Sequence, residues 1–134
     1  MRVFLDANVL FSAANWGSRV ARLVAWLLEG HTAVTSDFAI EEAVRNVRLK
    51  RSGWSEALEE LVAKVETAPS LLFPLPVELE VKDQPILCAA IRAKCDLLAT
   101  GDRKHFGHLY NQTVDGVTVV SLLGLAKRIV PDAE

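Results

Sequence analysis

Short apolar runs that do not alternate with polar residues recur along the chain, and helical stripes separate them. A strand with one face in water alternates apolar and polar residues, so continuous apolar runs indicate strands buried on both faces. Such strands alternate with helices in parallel sheets that helices cover on both sides. The pattern therefore predicts a three-layer α/β/α domain with a mostly parallel sheet of four to five strands. The runs are Arg2–Leu5, Ala33–Thr35, Leu97–Thr100 and Val117–Val120, with a shorter strand expected at Leu71–Phe73.

Apolar residues at helical spacing fill the gaps between these runs. Serine or aspartate stands before several of the stripes, as is usual at a helix N-cap. The expected helices are Val9–Ala14, Ser18–Glu29, one that follows Ser36 or Asp37 and closes near Lys50–Gly53, Ser55–Thr67, one that Lys82 or Asp83 caps and that runs to about Lys94, and Leu122–Ile129.

The composition excludes several classes of protein. A chain of 134 residues, 51% apolar and 24% charged, fits a single globular domain over residues 1–134. The net charge of −2 predicts no basic field over the whole surface, so a nucleic-acid partner would need local positive charge or metal ions. No apolar run is long enough to span a bilayer, and the acid within the first apolar run argues against a signal peptide. We expect a cytoplasmic protein without membrane contact.

Four acidic residues lie where an apolar segment ends or a helix begins: Asp6, Glu42, Asp83 and Asp102. Each has a local explanation. Asp6 suits an Asx turn, Asp83 suits a helix N-cap, and Asp102 suits the turn after its strand. Glu42 lies off the apolar face of its helix, where a solvated glutamate is usual, and periodicity does not choose between it and Glu41.

The predicted topology gives three of these acids a common location. Asp6 and Asp102 follow buried strands, and Asp83 begins the helix that leads to the strand ending at Thr100. Right-handed crossovers bring the carboxyl ends of parallel strands to one edge of the sheet, where ligands bind in open α/β folds. Converging carboxylates repel one another, and a hard divalent cation would offset that repulsion.

Two segments resemble the PIN-domain ribonuclease family, including its stand-alone VapC-type toxins. VFLDANVLFSA resembles the family's opening strand, aspartate and short helix, and KDQPILCAAIRAKCDLLATGD resembles its second half, ending in Thr-Gly-Asp. The resemblance covers nearly the whole chain and implies a Rossmann-like PIN fold. Family helices carry apolar residues two before, one after and five after the middle acid, a register that favours Glu42 over Glu41.

The resemblance implies an endoribonuclease that hydrolyses RNA phosphodiester bonds with Mg²⁺ or Mn²⁺. It makes Asp6 and Asp102 the strongest candidate ligands, followed by Asp83, with Glu42 bound directly or through water. One or two magnesium ions would activate the attacking water and stabilise the leaving oxygen. Asn8 and Thr100 would orient ligands or waters. Arg103 and Lys104 beside Asp102, and Arg45 on the helix of Glu42, are candidate phosphate contacts. An ordinary solvated face is the competing explanation for both basic clusters, and it is the preferred one for the cluster of Arg45.

His105 follows this segment and invites a general-base role, but a metal mechanism does not require one, so it stays outside the predicted catalytic set. The family and the length suggest the toxin of a type II toxin–antitoxin pair, with a small antitoxin partner and a homodimeric state. The competing hypothesis is a catalytically weak or inactive domain of the same fold that binds RNA or protein.

Overall fold

Strands and helices alternate along residues 1–131, the part of the chain that the computed structural model describes. The strands are β1 (Arg2–Leu5), β2 (Thr32–Ser36), β3 (Glu66–Ala68), β4 (Leu97–Ala99), β5 (Thr113–Val114) and β6 (Val117–Val120). The α-helices are α1 (Ala7–Ala13), α2 (Arg19–Gly30), α3 (Asp37–Lys50), α4 (Ser55–Val62), α5 (Gln84–Arg92), α6 (Arg103–Phe106) and α7 (Leu122–Ile129).

The strands form one sheet in the order β3-β2-β1-β4-β6-β5, and all neighbours are parallel except β5 and β6. In β1, Val3, Phe4 and Leu5 have no exposed surface, which requires that both faces of the central strand be covered. This confirms the predicted α/β class and the mostly parallel sheet. Within residues 1–131 the sheet has six strands, because two short edge strands, β3 and β5, join the expected set.

The register of the central strands positions the acidic edge. Leu5 of β1 lies opposite Ala99 of β4, and the two strands run in the same direction. The Asp6 backbone nitrogen donates to the Ala99 oxygen at 3.1 Å, which extends the pairing one residue past the strand. The side chains that follow β1 and β4 therefore emerge side by side, as the sequence predicted.

The helix expected at Ser55–Thr67 ends early. α4 stops at Val62, and Glu66–Ala68 forms β3, which pairs with β2. The guanidinium of Arg2 at the start of β1 also bonds the Glu66 carboxylate. These contacts come from residues distant in sequence, so the local helical stripe could not reveal them.

The strand expected at Leu71–Phe73 does not form. The Leu71 oxygen accepts from Arg92 Nε at 3.1 Å and the Phe73 oxygen accepts from Cys88 Sγ at 3.5 Å, so side chains of α5 take the place of a neighbouring strand. The hairpin of β5 and β6 turns at Asp115 and Gly116, which have φ of 46° and 89°. Positive φ at both turn residues is the reason that Asp-Gly favours a two-residue hairpin.

Among residues 1–131, no helix combines the length and the apolarity that crossing a membrane requires.

Candidate functional site

Asp6, Asn8 and Thr100, called the Asp6 cluster below, form a hydrogen-bonded unit where β1 and β4 end. Asp6 Oδ1 accepts from the Ala7 backbone nitrogen at 2.7 Å, so Asp6 caps α1. Its Oδ2 accepts from Thr100 Oγ1 at 2.7 Å and from Asn8 Nδ2 at 3.0 Å. The Asp6 side chain thus caps the helix through the next residue, instead of the bond to the residue two positions on that an Asx turn has, and it lies at the acidic edge.

Asp6 is a buried acid whose ionised form the surrounding fold destabilises. The residue is 5% exposed. Burial raises the pKa of Asp6 to about 6, the hydrogen bond from Thr100 opposes that rise, and the charge of Glu42 adds to it. Burial to this depth disfavours the charged form of an acid unless positive charge is close.

Gly101 lets the two strand ends approach each other. Its backbone nitrogen donates to Asn8 Oδ1 at 2.7 Å, and a Cβ on residue 101 would lie 3.2 Å from that same oxygen. Asn8 therefore links α1 to the segment after β4 with both ends of its amide. This contact supports the orienting role expected of Asn8.

Asp83, Asp102 and His105, called the His105 cluster below, form the second part of the site. His105 Nδ1 lies 2.9 Å from Asp102 Oδ2 and 3.2 Å from Asp83 Oδ2. The three ligand atoms all lie within 4.8 Å of one another, as a shared metal ion would need. The side chains of Asp83, His105 and Asp102 are 13%, 17% and 29% exposed, so solvent reaches this cluster more easily than it reaches Asp6.

Asp83 carries a buried oxygen without a donor. Its Oδ2 has no hydrogen-bond partner among the described residues, and the nearby His105 Nδ1 forms its hydrogen bond with Asp102. Burial raises the pKa of Asp83, the charge of His105 lowers it, and that of Asp102 raises it again. Asp83 stands at the N-cap position of α5 but makes no side-chain capping bond, so the helix-cap explanation of this residue is wrong. A buried acceptor without a donor fits a cation.

Thr100 connects the two clusters. Its Oγ1 accepts from the Asp102 backbone nitrogen at 3.1 Å while it donates to Asp6. Its backbone oxygen accepts from the Tyr110 hydroxyl at 2.9 Å. Burial raises the pKa of Tyr110, Arg103 lowers it, and the charges of Asp102 and Asp6 raise it, so both clusters act on one phenol.

The two glutamates of α3 face different surroundings. Glu41 is exposed and pairs with Arg45 at 3.5 Å, whereas Glu42 is half-buried and its charge acts on Asp6. This difference supports the preference for Glu42 over Glu41. Arg103 and Lys104 are exposed at the start of α6, directly after Asp102.

Solved structures share this architecture over nearly the whole chain. VapBC2 from Rickettsia felis, bound to a DNA fragment from its promoter, matches with a TM-score of 0.66 at 15% identity over 90% of this chain and 98% of that one. A PilT N-terminus domain protein from Sulfolobus solfataricus matches at 0.59 and 13% identity over 100% and 98%. VapBC-1 from nontypeable Haemophilus influenzae matches at 0.58 and 17% identity over 92% and 99%.

This chain has the PIN-domain fold. At these identities the similarity establishes the architecture of the chain and not its activity. No protein-family model matches the sequence, and no curated protein matches it either.

Within this PIN fold, the structure brings Asp83 and Asp102 together and adds His105, which the sequence-based site left out. Asp6 joins them through Thr100 and not through direct contact with the His105 cluster. The signal for His105 was its spacing, because the third residue after an N-cap turns back toward the capping side chain. No pattern in the sequence indicates that the ring also reaches Asp83, because that contact joins two separate elements.

Proposed function

We propose that this chain is a metal-dependent endoribonuclease that hydrolyses phosphodiester bonds of RNA. The unpartnered, buried Asp83 Oδ2 beside Asp102 carries the proposal, because it occurs at the ligand-binding edge of a PIN fold. Asp83 and Asp102 fit a cation by their donor set, since carboxylate oxygens are the usual ligands of Mg²⁺ and Mn²⁺.

Four acids would hold the ion: Asp6, Glu42, Asp83 and Asp102. Bound Mg²⁺ or Mn²⁺ would supply Lewis acidity, which activates water and stabilises charge on the phosphate oxygens. Asn8 and Thr100 keep the Asp6 carboxylate in one orientation through two donated hydrogen bonds. Fixing a carboxylate in this way is the usual work of groups that surround a metal ligand.

Local charge would govern the encounter with RNA. The acids repel phosphates, and the net charge of −2 provides no general attraction. Arg103 and Lys104 are exposed beside Asp102, so they are our first candidates for phosphate contacts. Arg45 is the third candidate, although its guanidinium already pairs with Glu41. Substrate binding would then depend on the ion as well as on these side chains.

The proposal extends to partners. Two of the similar solved structures are VapBC proteins, one of them bound to DNA. We propose that this chain is the toxin of a type II toxin–antitoxin pair, that a small antitoxin protein binds it, and that it acts in the cytoplasm as a homodimer. The first test is whether an antitoxin-sized open reading frame lies immediately upstream, and the second is co-expression of its product with this chain, followed by purification of the complex.

The decisive experiment is RNA cleavage by the purified protein with Mn²⁺, Mg²⁺ or EDTA. A generic single-stranded RNA and a pool of total RNA serve as substrates. We expect cleavage by the wild type with a metal ion, none with EDTA, and at least a tenfold loss in Asp6→Asn, because a charged ligand is removed. Asp115→Asn, in the exposed turn before β6, is the matched control and should cleave normally.

Equal cleavage by the wild type and Asp6→Asn would contradict the proposal, as would cleavage that persists in EDTA. RNA binding without cleavage in any metal would favour the alternative, a catalytically inactive PIN-like domain that acts as a binding module. Thermal melts of each variant without metal show whether a lost activity reflects lost folding.

A further inference from the structure

His105 occupies the position between two carboxylates that a cation would also use. Its Nδ1 is 2.9 Å from Asp102 Oδ2 and 3.2 Å from Asp83 Oδ2. An imidazole nitrogen with one hydrogen satisfies one acceptor well, and here the hydrogen bond goes to Asp102. The Asp83 oxygen is left without a donor, although it is buried.

Helix capping does not account for this arrangement. Asp102 caps α6 through its Oδ1, which accepts from the His105 backbone nitrogen at 3.1 Å. That bond completes the cap without the imidazole. The ring nevertheless reaches Asp83, which precedes a different helix and lies 22 positions earlier in the sequence. A group that joins two acids from separate elements, at distances that suit a common ion, indicates a role in the metal site itself.

We propose that His105 is a direct nitrogen ligand of the divalent ion, through Nδ1, together with Asp83 and Asp102. This inference rests on the proposed metal site and adds a ligand of another chemical type to it. In the neutral ring with its hydrogen on Nε2, Nδ1 presents a lone pair. Metal binding would require that tautomer, so a hydrogen on Nδ1 in the metal-free protein would pass to solvent and Nε2 would be protonated in exchange.

A mixed nitrogen and oxygen ligand set has a consequence for metal choice. Mg²⁺ prefers oxygen ligands and keeps its waters, whereas imidazole suits transition metals. His105 would therefore bias the site toward Mn²⁺ over Mg²⁺. A purely carboxylate site would show a smaller bias of this kind.

Electron paramagnetic resonance of bound Mn²⁺ tests the bond directly. We expect coupling to a histidine nitrogen in the full-length wild type, with the altered signature that ¹⁵N-histidine labelling produces. The coupling should disappear in His105→Ala and persist in His108→Ala, whose exposed ring instead contacts the Glu78 oxygen at 2.9 Å.

Calorimetric titration with Mn²⁺ and Mg²⁺ gives the second measurement. We expect the preference for Mn²⁺ to fall about tenfold in His105→Ala and to stay unchanged in His108→Ala. His105→Asn keeps a hydrogen-bond donor near the Nδ1 position but has no imidazole, so it should preserve the metal-free melting temperature while it loses the nitrogen coupling.

The outcomes separate this inference from the proposed function. Mn²⁺ that binds the wild type without nitrogen coupling would overturn the role of His105 and leave the nuclease proposal intact. Nitrogen coupling in a protein that cleaves no RNA would support His105 and contradict the nuclease. If His105→Ala does not fold, the labelled wild type and His105→Asn still decide the question, and a wild type that binds no divalent ion overturns both proposals.

Discussion

The two halves of the acidic site satisfy their carboxylates in opposite ways. In the Asp6 cluster, both carboxylate oxygens receive hydrogen bonds from neutral donors, and the residue is 5% exposed. In the His105 cluster, one buried oxygen of Asp83 has no donor, and the side chain of Asp102 is 29% exposed. The carboxylate of the Asp6 cluster therefore has donors for both oxygens without a bound ion, whereas the His105 cluster has one acceptor without a donor.

This difference suggests that the two clusters have different roles, one as a carboxylate held in place and the other as the position that receives the ion. A saturated, buried carboxylate is a fixed charge, because moving it would break several hydrogen bonds at once. A carboxylate with an unpaired oxygen, such as that of Asp83, has an acceptor position that an ion can occupy. Thr100 bonds both Asp6 and the backbone of Asp102, so the Asp6 cluster can hold the His105 cluster in position. Variants in each cluster test whether these roles differ.

The largest effect on RNA cleavage is expected where the His105 cluster loses a metal ligand. Asp102→Asn should lower the rate of RNA cleavage roughly 1,000-fold, since losing the ion would forfeit several kcal/mol of transition-state stabilisation. Cleavage assays at saturating Mn²⁺, with calorimetry of Mn²⁺ binding, measure it. Asp115→Asn is the control. Near-normal Mn²⁺ binding by Asp102→Asn would show that the ion does not need this cluster.

In the Asp6 cluster, ionisation of the buried carboxyl should lower the free energy of unfolding. The pKa of Asp6 is raised from 3.8 to about 6, so its ionisation is disfavoured in the folded state. The stabilising effect of the neutral form is complete below about pH 4 and is lost as the pH rises through about 6. In metal-free buffer, the free energy of unfolding of the wild type minus that of Asp6→Asn should therefore fall by about 3 kcal/mol across this range.

Urea unfolding at several pH values between 4 and 7 measures that difference. The same subtraction with Asp115→Asn should stay flat, because Asp115 lies in an exposed turn. A constant difference for Asp6 would mean that its charge is not destabilising, and the contrast between the clusters would lose its electrostatic basis.

Thr100→Val removes the connection between the clusters. The variant leaves Asp6 Oδ2, in a buried residue, and the part-buried Asp102 backbone nitrogen each without one partner. We expect a loss of about 2 kcal/mol in the free energy of unfolding. Thr118→Val removes an exposed hydroxyl pair with Thr113 and should cost less than about 0.5 kcal/mol. Equal losses in denaturant unfolding would argue that Thr100 has no special role.

The smallest effects, on RNA binding, are expected at the exposed basic side chains beside the His105 cluster. Arg103→Ala and Lys104→Ala should each weaken RNA binding about threefold, the size of an exposed charge contact. Each should also lower the slope of log affinity against log salt by about 0.7. Fluorescence anisotropy with a non-cleavable RNA measures both quantities. Lys94→Gln, just before β4 at the opposite edge of the sheet, should change neither of them.

The strands of the central sheet and the location of the acids could be predicted because they depend on local patterns. Continuous apolar runs revealed β1, β2, β4 and β6, and parallel topology then placed Asp6, Asp83 and Asp102 at one edge of the sheet. β3 escaped prediction because Glu66 and Thr67 fall within the helix expected at Ser55–Thr67, and the segment becomes a strand through pairing with β2. Such pairing is a property of the whole fold and not of the segment.

The side-chain orientations could not be predicted from the sequence. Asp83 fits an N-cap by position and by the proline that follows at N1/N2, yet its carboxylate turns toward His105 instead. His105 is an ordinary member of a basic run in the sequence, and it acquires its contacts only when α5 and α6 meet. Spacing predicts which residues share an edge, but packing between elements decides which atoms meet.

The strand order has a consequence for biosynthesis. β1 is made first but lies in the middle of the sheet, and one of its two neighbours, β4, is made much later. A growing polypeptide that has not reached Leu97 lacks this neighbour, and it also lacks Thr100 and Asp102. The ribosome therefore produces most of this chain before the contacts of Thr100 with Asp6 and of His105 with Asp83 and Asp102 can form.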